Sequence, residues 1–358
     1  MDQIYYNGDI ITMVKETDSP EALCVKDGRI QFIGTREEAF SYRTKETELI
    51  DLNGKTLLPG FIDSHSHIVS FSNLLGTIDL QGCTDFDMIV NRLKKGIEEK
   101  KLEPGQWVIG FGYDHNCLKE KRHPDKYILD RASTEHPILV SHVSGHMGVL
   151  NSSALKQSGI DESTPDPEGG KIGRLQGSSQ PDGYLEETAF TGCSSNMPAP
   201  SATQLIRQMQ LAQEVYLKHG ITTAQEGLAG TVEWEQLKQL AQNGELNIDV
   251  VAYADMKSSR SLMKENKKYR GTYINHLKLG GYKIFLDGSP QGRTAWMSEP
   301  YEGAEDGYSG YPIYTDGQVR EYMQEAVQDH AQLLVHCNGD AAAQQMIDAY
   351  RTCLLYTS

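Results

Sequence analysis

No paired cysteines, no long apolar run and no excess of positive charge mark this 358-residue chain. Its six cysteines, at 24, 83, 117, 193, 337 and 353, include no CxxC pair, which excludes a zinc knuckle. Scattered thiols behind an N-terminus without a basic segment and apolar core point to a reducing cytoplasm rather than a disulfide framework. No apolar stretch approaches the roughly 20 residues needed to span a bilayer. Lys and Arg total 34 against 49 Asp and Glu, a net charge of -15 that repels phosphate backbones and anionic lipid. Nucleic-acid and membrane partners are therefore not expected. No internal repeat or low-complexity tract is visible.

What the chain does have begins with turn chemistry. Asn7-Gly8, Asp27-Gly28 and Asn53-Gly54 each stand between β-rich segments, and such pairs suit the positive φ angles of two-residue hairpins. Residues 1–59 are thus expected to form a small antiparallel domain, ending near Pro59-Gly60. Beyond it, short apolar strands alternate with amphipathic helices, the pattern of a parallel sheet in a barrel or a doubly wound fold. Thr84 is placed to cap a helix carrying Ile89, Val90, Leu93 and Ile97. Further helices are expected over 201–219 and 319–331, the first stopped by Gly220 and each followed by a strand. Residues 68–200 fit the alternation poorly, and Ser163 to Gly183 reads as a long loop covering a site.

The chemistry concentrates in Pro59-Gly60-Phe61-Ile62-Asp63-Ser64-His65-Ser66-His67. On a strand, residues two apart share a face, so His65 and His67 would present both imidazoles to one borderline metal ion such as zinc. A pair of merely hydrogen-bonded surface histidines is the competing reading.

That nonapeptide resembles the first-strand signature of the amidohydrolase superfamily. Further segments are similar to the amidohydrolase-3 branch, which includes N-substituted formamide deformylases: Val143-Ser144-Gly145-His146 running into Asn151-Ser152-Ser153-Ala154-Leu155, Gly220-Ile221-Thr222-Thr223, Lys283 to Ser289 with Arg293-Thr294-Ala295, and His336-Cys337-Asn338-Gly339-Asp340. The resemblance implies an α/β fold: a (β/α)8 TIM-type barrel of which about strands 1–5 are present. An N-terminal β-sandwich part would precede it, with a barrel over 60–352 and a large insertion at 68–200.

The same resemblance implies that His65, His67, Lys283 and His336 bind one or two divalent ions, with Lys283 carboxylated where two ions are bridged. Lys283 could instead be an ammonium in solvent, and His336 a buried structural histidine. His146, His142, Asp287 and Asp114 are expected to contact substrate, while Glu226 is eligible by position but has no assigned role. A sixth-strand histidine and an eighth-strand catalytic aspartate would lie beyond the chain, so no catalytic residue is assigned within it and the fragment should be inactive. Residues 353–358 resemble translated adapter sequence and should break the preceding helix.

The implied activity is hydrolysis of a carbon–nitrogen bond outside peptides, in a small amide, formamide or cyclic amide, by metal-activated water. A catalytically silent metal-binding or scaffold protein, and a metal-free barrel isomerase or lyase, are the alternatives. Assembly into oligomers is left open.

Overall fold

The computed structural model describes residues 2–195, 200–290, 293–304 and 307–357. Contacts divide the chain into two compact units, one of residues 1–64 with Tyr216–Ala224, the other of the remainder.

In the first unit, β1 (Gln3–Tyr6), β3 (Ala22–Lys26), β4 (Arg29–Gly34) and β5 (Glu48–Asp51) form a sheet of order β4-β3-β1-β5. The strands β2 (Asp9–Ile10) and β6 (Thr56–Leu57) pair separately. Asp27 and Gly28 adopt positive φ and close an antiparallel β3–β4 hairpin, as expected. The other two turns behave differently. Asn7 and Asn53 also adopt positive φ, yet β1 pairs in parallel with β5 and β2 in parallel with β6. Each turn is a corner at which the chain leaves one sheet for the other. The two corners lock together: Gly54 N donates to Asn7 O at 2.8 Å, and Asp51 Oδ1 accepts from Asn7 Nδ2 at 2.7 Å. Ile4, Ala22, Cys24 and Ala39 form the small core beneath.

The strand β7 (Phe61–Asp63) also belongs to this unit, paired in parallel with Ile221–Ala224. Contacts thus group β7, through Ser64, with this unit. Gly60 has a packing reason to lack a side chain, because a Cβ there would run into Thr222.

The region between β7 and the next barrel strand is a sheet in its own right, not irregular chain. It contains β8 (Ile78–Asp79), β9 (Val108–Tyr113), β10 (Ile138–His142), β11 (Met147–Leu150), β12 (Gly170–Arg174) and β13 (Pro181–Glu187), in the order β12-β13-β11-β10-β9-β8. Alternation along β10 explains its complete burial: Ile138 and Val140 enter one core with Ile89 and Leu93, while Leu139 enters another with Leu150, Leu185 and Phe190. The helix Phe86–Lys100 covers the first core, and its N-cap is Asp85, whose carboxylate accepts the Met88 N–H; Thr84 is one residue too early. The expected loop over 163–183 contains β12 and the start of β13, an antiparallel pair whose Gly169 and Gly177 turn at positive φ.

The barrel sheet has the order β17-β16-β15-β14-β7, with β14 (Ile221–Ala229), β15 (Asp249–Asp255), β16 (Leu277–Phe285) and β17 (Gln332–His336). Helices Thr231–Gln242 and Asp316–Gln328 lie between successive strands, the second opened by a Thr315/Gln318 capping box. This is a partial TIM-like barrel. Helix Asp340–Thr357 continues through the segment expected to break it; Ser358 lies outside the described residues. Among the described residues, no helix is long and apolar enough to cross a membrane.

Candidate metal centre

Parallel strands bring their C-terminal ends to one edge, so β14, β16 and β17 deliver Glu226, Lys283 and His336 to the same rim. His65 and His67 arrive differently from expectation. The strand β7 stops at Asp63, so neither histidine is in it; His67 is the N-cap residue of helix Ile68–Leu75. Strand alternation therefore does not align them. A backbone bond from Gly227 N to Ser66 O at 2.8 Å and an isolated bridge between His67 and Glu226 seat the turn beside β14.

The outcome is still convergence. Ring centres of His65 and His67 are 6.1 Å apart, and those of His65 and His336 are 6.5 Å apart. At a nitrogen–metal distance of about 2.1 Å, two imidazoles on one tetrahedral ion would have ring centres about 5 Å apart. The His65 ring thus stands about 1 Å farther from each of the other two than a shared ion requires.

Glu226 supplies what the histidines need behind them. It is 1% exposed; Oε1 lies 3.3 Å from His67 Nδ1, while Oε2 accepts the Val69 N–H at 2.8 Å. A carboxylate on Nδ1 sets the tautomer that leaves Nε2 free as a ligand. Its position at the end of β14 was the only signal in the sequence.

Lys283 is 3% exposed and forms no ion pair among the described residues; its ammonium lies 5.4 Å from the centre of the Phe285 ring. Burial holds its pKa below the ordinary lysine range, opposed by Cys337. Lys278, nearer the start of β16, instead stacks on Tyr273 at 4.4 Å. The imidazole of His336 is also held below its usual pKa, first by burial and then by the charges of Lys283, His65 and His67, with Asp287 opposing. Asn338 donates to His336 Nε2 at 2.9 Å and to Gly288 O at 2.7 Å, so an ion at Nε2 would displace that amide. Asn338 lies inside the His336–Asp340 motif but carried no role in the sequence reading.

Asp287 does not present a free carboxylate to substrate. It is 2% exposed, and its oxygens accept from the backbone N–H groups of Trp296 at 2.9 Å, Asn338 at 2.9 Å and Gly339 at 2.6 Å. It pins the loop after β17 against the loop after β16, positioning His336 and Asn338.

The other expected substrate contacts sit on the inserted sheet. His146 is exposed and pairs with Glu187, Nδ1 to Oε2 at 3.1 Å. Asp114 and His142 are tied to one another, His142 Nε2 lying 3.5 Å from Asp114 Oδ1.

The donor set at the rim, three imidazoles and a buried lysine, fits a borderline divalent cation. Similarity to known proteins runs the same way. The chain is 28% identical to YtcJ of Bacillus subtilis, whose own amidohydrolase name is provisional, over 98% of this chain and 66% of that protein. It is 25% identical to the N-substituted formamide deformylase of Arthrobacter pascens, over 98% of this chain and 65% of the enzyme. It thus spans about two thirds of the length of these relatives. The crystal structure of an uncharacterized metal-dependent hydrolase from Pyrococcus furiosus superposes with a TM-score of 0.77 at 26% identity, covering 98% of this chain and 70% of that one. The family model described as "Amidohydrolase family" matches residues 48–353, and the chain belongs to that family, in its amidohydrolase-3 branch.

Proposed function

We propose that the intact protein is a metal-dependent hydrolase of non-peptide carbon–nitrogen bonds, with His65, His67, His336 and Lys283 holding one or two divalent ions, preferably zinc. One observation carries this reading: imidazoles from a turn after β7 and from the end of β17 meet at the rim where β16 ends in a buried lysine. A bound ion would supply Lewis acidity toward a carbonyl and toward water. The protein's own contribution is to hold the ligands. Glu226 orients His67, Asp287 braces the His336 loop, and the Phe285 ring lies beside the Lys283 ammonium.

Lys283 is a reasonable candidate for carboxylation. A buried ammonium without a carboxylate partner is costly, whereas a lysine carbamate would be an anionic oxygen ligand facing the imidazoles. The substrate class proposed is a small N-acyl, formamide or cyclic amide compound, on the strength of the likeness to the deformylase. His146 is assigned to substrate contact from the inserted sheet. In this reading, residues 1–59 are the first part of a β-sandwich, 60–352 are barrel and 68–200 are the insertion over its mouth.

The test is metal content together with amine release from a panel of N-substituted formamides and cyclic amides, using the full-length gene product. The reading expects about one to two zinc ions at the rim of each chain, lost from there in His65→Ala and His67→Ala. A wild-type protein that purifies without metal and cannot be loaded would remove it. A mass increase of one carbon dioxide on Lys283 is expected in the two-ion form; an unmodified lysine beside two bound ions would remove the carbamate.

A further inference from the structure

Away from the barrel rim, the inserted sheet gathers a second set of metal-ligating side chains. The parallel strands β9 and β10 end side by side, with Tyr113 opposite His142 across a register shift. Asp114 and His115 follow directly after β9, so the topology brings them to the end of β10. His115 Nδ1 lies 3.4 Å from His142 Nε2, His142 Nε2 lies 3.5 Å from Asp114 Oδ1, and His115 Nδ1 lies 3.9 Å from the same oxygen. An ion held at about 2.1 Å by nitrogen and oxygen ligands has tetrahedral edges of about 3.4 Å. The observed triangle has that size on two sides and exceeds it slightly on the third.

We infer that Asp114, His115 and His142 form a second divalent-cation site, with a two-nitrogen, one-oxygen donor set suited to zinc or cobalt and an open fourth position.

The surroundings support the assignment. His142 is 7% exposed, and its Nδ1 lies 2.9 Å from Ser144 Oγ, an acceptor for the hydrogen that Nδ1 must carry when Nε2 binds an ion. The Ser144 N–H, 3.1 Å from the same nitrogen, competes for that place and would have to turn away. Asp114 is fixed by an Asn116 N–H bond to Oδ1 at 2.9 Å. The His123 ring lies against His115, centres 4.1 Å apart, and His123 Nδ1 meets the Tyr113 hydroxyl at 2.9 Å. Burial lowers the pKa of His142, and the Asn116 N–H lowers that of Asp114. The rival arrangement is a plain hydrogen bond from His142 Nε2–H to Asp114.

Cobalt(II) binding to the 358-residue chain separates the two. With the rim ion removed by His65→Ala and His67→Ala together, the proposal expects about one Co2+ per chain, with the visible bands of tetrahedral coordination. His115→Ala or Asp114→Asn added to that background should weaken Co2+ binding at least about tenfold while the thermal melt stays cooperative. A folded double variant that takes up no Co2+, or binding indifferent to His115→Ala and Asp114→Asn, overturns the site. Should the double variant not fold, the wild-type chain is titrated instead; His115→Ala must then remove one bound equivalent, and no loss refutes the proposal. Failure at the rim would show as metal lost only through positions 114, 115 and 142, so the two assignments fail separately.

Discussion

Glu226 holds an imidazole and a backbone donor of one turn at once: one carboxylate oxygen lies 3.3 Å from His67 Nδ1 and the other accepts the Val69 N–H at 2.8 Å. The second bond anchors the carboxylate, so the first can aim the imidazole. Glu226→Gln keeps the shape but removes the charge that stabilises the Nδ1–H tautomer. Metal retention at the rim should fall about 10- to 100-fold, measured by competition with a chelator, with little change in the melting transition. Unaltered affinity would mean that Glu226 only braces the turn.

Removing the Asp287 carboxylate strands three backbone donors, those of Trp296, Asn338 and Gly339. Asp287→Ala should destabilise unit 2 by about 3 kcal/mol or more, since each buried unsatisfied donor costs about 1–3 kcal/mol. Asp287→Asn should cost less, because one amide oxygen still accepts. Urea unfolding of the three proteins gives the order; an Ala variant as stable as wild type would exclude the bracing role.

The β16–β17 pairing depends on Gly281, opposite Gln332 in the register. A Cβ there would collide with the Gln332 carbonyl oxygen, a backbone atom that cannot swing aside. Gly281→Ala should therefore cost about 2 kcal/mol or more and loosen the strands bearing Lys283 and His336 together. Reduced metal retention should accompany the lower unfolding midpoint; a stable variant with intact metal binding contradicts the packing argument.

Acid should weaken the first unit through Asp51. The Asn53 N–H, then the Asn7 amide, holds its carboxyl below the usual aspartate range. A depressed folded pKa means the unfolded chain takes up the proton first. The stabilisation is complete above the unfolded value of about 3.9 and is lost as pH falls through the folded one. Asp51→Asn should flatten the pH dependence of unit 1 melting below about pH 4. An unchanged profile would show that the locked corners do not rest on this charge.

Much of the rim was readable because its signals are local. Lys283 stands near the end of one strand and His336 closes a short apolar one, and strand ends are where parallel sheets place chemistry. Turn residues were readable for the same reason: positive φ at Asn7, Asp27 and Asn53 is a property of two adjacent residues. Which strands those turns join was not. Asn7 and Asn53 sit at corners because Asp51 and Gly54 tie them together, a contact 44 or more residues apart in the chain. The Gly- and Ser-rich appearance of 163–183 likewise concealed the β12–β13 pair, whose partners become visible only once β11 lies beside β13.

The amino-acid sequence by itself determined the family, the alternation of strand and helix, and which side chains can bind a metal, since these rest on residue type and short spacing. The tertiary structure decided that His65 and His67 leave the strand before they act, that Glu226 stands behind His67, and that Asp287 is spent on three backbone donors. It also decided that Asp114, His115 and His142 meet. Those facts depend on distances between segments far apart in the chain, set by which strands lie side by side, and no periodicity within one segment encodes them.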